Sequence, residues 1–187
     1  MNLLPLASEP LTAPTDRDML PSERREFVRT HRTCIFGYAR RQDGPAMSVV
    51  YYIPTDSDEL LVSTMRERAK AKAVGRDGKI SLCILDERWP FTYLQVYCDA
   101  EVDEDPKLTT DVMLAVGGRM SGTPIPEAAR PAIEAMAKKE DRVVLRCRPY
   151  ATFATPPRHL HRNDQEEELT HWVTASMPWD ASDDGPA

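Results

Sequence analysis

Arg66, Arg68, Lys70, Lys72, Arg76 and Lys79 crowd into one stretch, Met65 to Asp86, of a chain whose formal charge is −6. A local basic cluster in an acidic protein suits a small anionic ligand, because a nucleic-acid binder carries a broader positive field. Strand-like ELLVST (59–64) leads into the cluster and strand-like KISLCIL (79–85) leaves it. A helix that starts at a strand end presents its first-turn amides to an anion, and Arg and Lys add charge-assisted hydrogen bonds. Arg68, Lys70 and Lys72 stand two apart, so they fan around a helix instead of sharing one face. Spacing alone favours the plainer alternative, a solvated surface helix.

A second candidate is the run AMSVVYYI (46–53). Alternation sends Ser48, Val50 and Tyr52 to one side and Val49, Tyr51 and Ile53 to the other. A flat ring fits along such a strand, with backbone groups at its polar edge, and Ser63 and Thr64 add hydroxyls at the end of the next strand. These are also ordinary β-formers in a sheet wall. Other groups are weaker. His159 and His161 lack the matched ligand spacing of a metal site. Ser121 and Thr123 lack a nucleophile-elbow context, and Gly117-Gly118 reads as a helix break or a tight packing point. Cys34, Cys83, Cys98 and Cys147 fall in four different expected strands without a CxxC pair, and read as small buried hydrophobes.

The elements that must position these residues follow from pattern. Residues 1–20, with Pro5, Pro10 and Pro14, read as an arm. SERREFVRTHR is a short helix with Ser22 as N-cap and Phe27 and Val28 inward. Thr33 to Arg41 and Ala46 to Ile53 form a hairpin around Asp43-Gly44. Pro54 to Asp58 is a turn before ELLVST. The basic helix over 67–77 ends at Gly75, with a turn at Asp77-Gly78. KISLCIL and TYLQVYCDAEV (92–102) are strands flanking the loop Asp86 to Phe91. Helices follow over Thr110 to Met120 and Pro126 to Lys139, then a last strand over Asp141 to Phe153. Five strands, a helical insertion at 106–139 and a closing strand imply a six-stranded, mostly antiparallel barrel, a form that removes exposed edges. The expected organisation is an arm (1–20), a barrel domain (21–155) and an acidic tail (156–187). An acidic tail of this kind is most often disordered; the alternative, offered by Trp172 and Trp179, is docking onto the body or a partner subunit.

Composition sets limits. At 187 residues the chain can bury a core without disulfide staples. A hydrophobic fraction of 41% and a charged fraction of 29% are ordinary for a globular domain. The acidic balance argues against nucleic acid or an anionic membrane as partner. No apolar run nears the roughly 20 residues needed to span a bilayer, and the start MNLLPLASEP lacks the regions of a secretory signal. A cytoplasmic location is expected.

Taken in order, GPAMSVVYYI, ELLVSTMRERAKAKAVGRDGKISLCIL and RWPFTYLQVYCDAEV resemble the FMN-binding split-barrel superfamily, over roughly residues 22–153. The nearest branch is the actinobacterial flavin/deazaflavin oxidoreductases related to pyridoxamine 5′-phosphate oxidase. The resemblance implies a split β-barrel homodimer with two cofactor sites at the subunit interface. It sets Lys70 at the family's phosphate-binding lysine, with Arg68 beside it and Lys72 near. It sets Ser48, Val49, Val50 and Tyr51 along the cofactor ring and Ser63 and Thr64 along the ring-to-phosphate chain. Trp89, Phe91 and Tyr93 would line the site from the other subunit. Pyridoxamine phosphate oxidases carry Ser-Arg-Lys where this chain has Arg68-Ala69-Lys70, and they end in a basic Trp-containing segment. Here the end is acidic, which disfavours vitamin B6 oxidation. Arg68-Ala69-Lys70 resembles the deazaflavin branch more closely. The surplus charge at Arg66, Lys72 and Arg76 suits the anionic tail of coenzyme F420, with FMN as the alternative cofactor. The activity implied is hydride transfer between reduced F420 and an unsaturated organic substrate. A non-catalytic cofactor- or haem-binding split barrel is the alternative outside enzymes.

Overall fold

The computed structural model describes residues 1–5, 7, 9–14, 18–88, 91–154 and 176–184. Trp89, His159, His161, Trp172 and most of the expected tail lie outside the described residues. Helix α1 (Pro21–Thr30) precedes β1 (Thr33–Tyr38), β2 (Ala46–Tyr51), β3 (Ile53–Pro54) and β4 (Leu60–Met65). Helix α2 (Ala69–Asp77) follows, then β5 (Lys79–Asp86) and β6 (Thr92–Asp103). Next come α3 (Pro106–Ser121), a single 3-10 turn (Glu127–Ala129) and α4 (Arg130–Lys139). The last strands are β7 (Arg142–Ala154) and the two-residue β8 (Met177–Pro178).

All pairings are antiparallel, and the path runs β2-β1-β5-β6-β7-β4-β3, with β8 on β7. Six long strands carry the sheet, as the sequence predicts, while AMSVVYYI is divided between β2 and β3. The two ends of the path, β2 and β3, are joined in the chain by Tyr52 alone. A sheet whose first and last strands are covalent neighbours has to curl on itself, which gives the half-barrel. Tyr52 is fully buried at this corner, and its hydroxyl donates to Val28 O at 2.6 Å. A register shift at Tyr97/Cys98 adds the local bend that long β6 and β7 need.

Phe36, Leu60, Val62, Leu82, Leu94, Val96 and Leu145 fill the concave side, together with Phe27 and Val28 of α1. Cys34, Cys98 and Cys147 lie among them as free thiols. Burial pushes the Cys147 thiol up to about 12, so it stays protonated and packs as a hydrophobe. A second cluster (Ile53, Leu61, Val112 and Val144) joins the other side of β4 and β7 to α3.

Several boundaries differ from expectation for local reasons. Ser22 is not the N-cap of α1. Leu20 is, Pro21 takes the first helical position, and the Leu20 N–H donates to Glu23 Oε2. Ser22 instead donates from its N–H and hydroxyl to Asp183, at 2.9 and 2.6 Å. Gly75 does not end α2; Gly78 does, in the left-handed region at φ 64°. Helix α3 starts at Pro106, capped by the Asp105 carboxylate that accepts from Lys107 N–H. Gly117 and Gly118 sit inside α3 as packing points, since a Cβ on Gly117 would lie 3.0 Å from Ile125 Cγ1. The arm is docked: Leu3 bridges Thr55, and Asn2 donates twice to Asp56. Trp179 also docks, through its N–H to Tyr150 O and its indole N–H to Asp58.

Candidate functional site

Helix α2 lies against β1, β6 and β7, with Ala71 and Val74 in the main core. Small residues on that face, Ala71 and Ala73, let the helix approach the sheet closely. Lys70 reaches back over the ring of Phe36, its Nζ 5.8 Å from the ring centroid, within cation–π reach. Phe36 sits opposite Ser48 in the β1–β2 register, and the buried Ser48 hydroxyl has no hydrogen-bond partner. Lys70, Phe36 and Ser48 therefore gather at one end of the concave side.

Ion pairing separates the six cations. Arg66 is bonded to Glu104 and Asp141, Lys72 to Glu67, Arg76 to Asp77 and to Ala39 O, and Lys79 to Asp99. Among the described residues, Arg68 and Lys70 have no ion pair. Partial burial lowers the Lys70 pKa, and the adjacent Arg68 charge lowers it further. Two like charges side by side, one of them half-buried and neither answered by a carboxylate, make a site that an anion would stabilise.

The expected ring-lining residues divide between two faces. Ser48 and Val50 face the core, while Val49 faces outward and is 74% exposed. Tyr51 shares the outward side. Met47 beside them is 70% exposed. Because β3 continues β2 and pairs with β4, the end of β2 comes alongside β4. There Thr64 is buried in step with Leu60 and Val62, whereas Ser63 faces the opposite side and accepts from Arg142 at 3.4 Å. Ser63 and Thr64 are thus not on one surface. Lys72 is turned to solvent with Glu67. Tyr93 lies at the start of β6, opposite Leu85. Phe36 is the residue that sequence reasoning missed. Its alternation with the inward Cys34 was the signal available.

The chain matches the family model described as pyridoxamine 5′-phosphate oxidase over residues 20–155. The chain belongs to that family. No curated protein matches it. The family's split barrel recurs in solved structures. A conserved hypothetical protein from Mycobacterium tuberculosis is 23% identical with a TM-score of 0.66, covering 82% of this chain and 96% of the other. An F420 reductase is 23% identical with a TM-score of 0.51, covering 65% and 88%. A heme binding protein from Mycobacterium smegmatis is 13% identical with a TM-score of 0.56, covering 87% and 59%. At these identities the likeness is one of fold, which hosts more than one activity.

Proposed function

We propose that this member of the pyridoxamine 5′-phosphate oxidase family binds coenzyme F420 and serves as an oxidoreductase on an unsaturated organic substrate. The observation that carries the reading is the pair Arg68 and Lys70, which has no ion-pair partner among the described residues, with Lys70 over Phe36, the register partner of the buried and partnerless Ser48. These groups suit a cofactor phosphate: the cations supply charge-assisted hydrogen bonds and the α2 N-terminus supplies amides. Ser48, Val50 and Thr64, on the side of the sheet that carries Phe36, would border the cofactor, whereas Val49, Tyr51 and Ser63 face the other side and would not touch the same ring. Trp89 and Tyr93 would join from the other subunit, and Lys72 would have to leave Glu67 to take part. Bound F420 supplies hydride transfer from ring carbon C5, while the protein holds and orients it. The F420 reductase among the structural relatives supports this cofactor.

A second reading, FMN, is favoured by one specific observation. Arg66, Lys72 and Arg76, the surplus cations suited to the F420 tail, are all occupied by carboxylates. That leaves charge for one phosphate. The outward Met47 and Val49, next to the half-buried Ile35 and Cys83, also suit a second copy of the chain. A homodimer formed there would cover the outward side of β2, where Val49 and Tyr51 lie. Titration of the purified protein with F420 and with FMN, followed by absorbance and by mass spectrometry of retained cofactor, tests the proposal. Saturable F420 binding that is lost in Arg68→Ala/Lys70→Ala is expected. Retention of FMN alone selects the second reading, and binding of neither overturns both.

A further inference from the structure

A cavity lies away from α2, between the N-terminal arm and the C-terminal half of α3. Its volume is about 730 Å³, and Leu3, Leu114, Ala115 and Ile125 give it apolar walls. The loop that carries Ile125 approaches α3 over Gly117 and Gly118, where added Cβ atoms would come within 3.0–3.4 Å of Ile125 and Thr123. The wall is therefore built on a helix face that lacks side chains.

Three arginines line this cavity in an acidic protein. Arg130 is occupied by Asp111 at 2.7 Å and by Glu127, so both nearby carboxylates are spent on it. Arg119 is only 3% exposed. Its Nη1 donates to His31 O at 3.2 Å, and its Nη2 is buried without a partner. Arg32 is exposed and has no ion pair among the described residues. A buried guanidinium with one unanswered donor is costly, and the cost falls when an anionic acceptor arrives.

We propose that this cavity binds a small organic acid, its carboxylate held by Arg119 and Arg32 and its apolar body against Leu114, Ala115 and Ile125. The planar fork of a guanidinium matches a carboxylate. The apolar walls select a monoanion with a hydrocarbon chain over a polyanion. The site is independent of the cofactor proposal, since it shares no residue with the α2 cluster.

The test uses octanoate as probe, with octan-1-ol as the uncharged control, followed by methyl chemical shifts of the full-length protein. Saturable movement of the Leu114, Ala115 and Ile125 methyls is expected. Octanoate should bind about tenfold or more tighter than octanol, the worth of one charge-assisted contact. Arg119→Met should remove that preference. Arg32→Gln, on an exposed side chain, weakens octanoate severalfold and serves as the decisive variant if Arg119→Met does not fold. Absence of saturable binding, equal affinity for octanol, unchanged affinity in Arg32→Gln, or shifts centred on Ala71 and Val74 of α2 would each overturn the proposal.

Discussion

The cofactor-binding role proposed for Lys70 implies a conflict between stability and binding that can be measured. Its ammonium is half-buried, next to Arg68 and without a carboxylate, so it contributes little to the free protein. Lys70→Met should leave the melting temperature of the free protein unchanged or raised. The same change should weaken cofactor binding by one to two orders of magnitude, about the worth of a charge-assisted contact to phosphate. A large drop in free-protein stability would show that Lys70 is a structural residue. His31 makes a separate prediction. Its ring stacks on Phe27 at 3.9 Å, and its Nδ1 lies 2.7 Å from Phe27 O, which can only accept. Nε2 is then the bare nitrogen; it has no hydrogen-bond partner and lies 3.8 Å from Asp86. Burial lowers the pKa below 6.5 despite that carboxylate, so the unfolded chain binds the proton more readily. The His31 contribution is thus complete above pH 6.5 and is lost as pH falls through the lower folded value. Urea midpoints should drop on acidification, and His31→Gln should flatten that slope; an unchanged slope would refute the assignment.

At the scale of elements, α2 shows what pattern reveals and what it hides. The strand–helix–strand order around the basic run was legible because alternation and turn chemistry are local. The choice between Gly75 and Gly78 as helix end was not, since both follow periodic residues and only φ distinguishes them. Gly78→Ala should cost about 1 kcal/mol, because it forces a Cβ into the left-handed region. Gly75→Ala, inside the helix with its nearest neighbour at 3.9 Å, should stabilise by roughly 0.5–1 kcal/mol. Thermal melts of the two variants should move in opposite directions, and a shared sign would contradict this assignment of the helix end. The hairpin of β1 and β2, the buried Cys34 and the helical insertion also followed from local pattern. Which cations were neutralised did not, because Glu104 and Asp141 reach Arg66 from distant elements. Ser63 and Thr64 were grouped as neighbours in sequence, whereas the period of two in a strand separates them. Strand β8 is two residues long and gives no periodic signal.

For the whole molecule, the outward side of β1 and β2 sets a test of assembly. Met47→Glu with Val49→Asp should leave the fold intact, since both side chains already face solvent. If the proposed homodimer packs on this side, sedimentation should show the unaltered protein as a dimer and the double variant as a monomer. A variant that stays dimeric places the interface elsewhere. The docked arm and Trp179 guard other parts of the surface, since Leu3 lies along the terminal strand β3. The covalent link at Tyr52 between the two ends of the strand path has one more consequence, for the order of events during synthesis. Strand β4 is made early, yet its long partner is β7, so Leu60 waits for Cys147 and Met65 for Arg142. The β1, β2, β5 and β6 side can assemble as each segment leaves the ribosome, but the half-barrel cannot shut until the last long strand has emerged. Such distant pairing slows folding, and in the interval the growing chain carries an open β4 edge on which other chains can add.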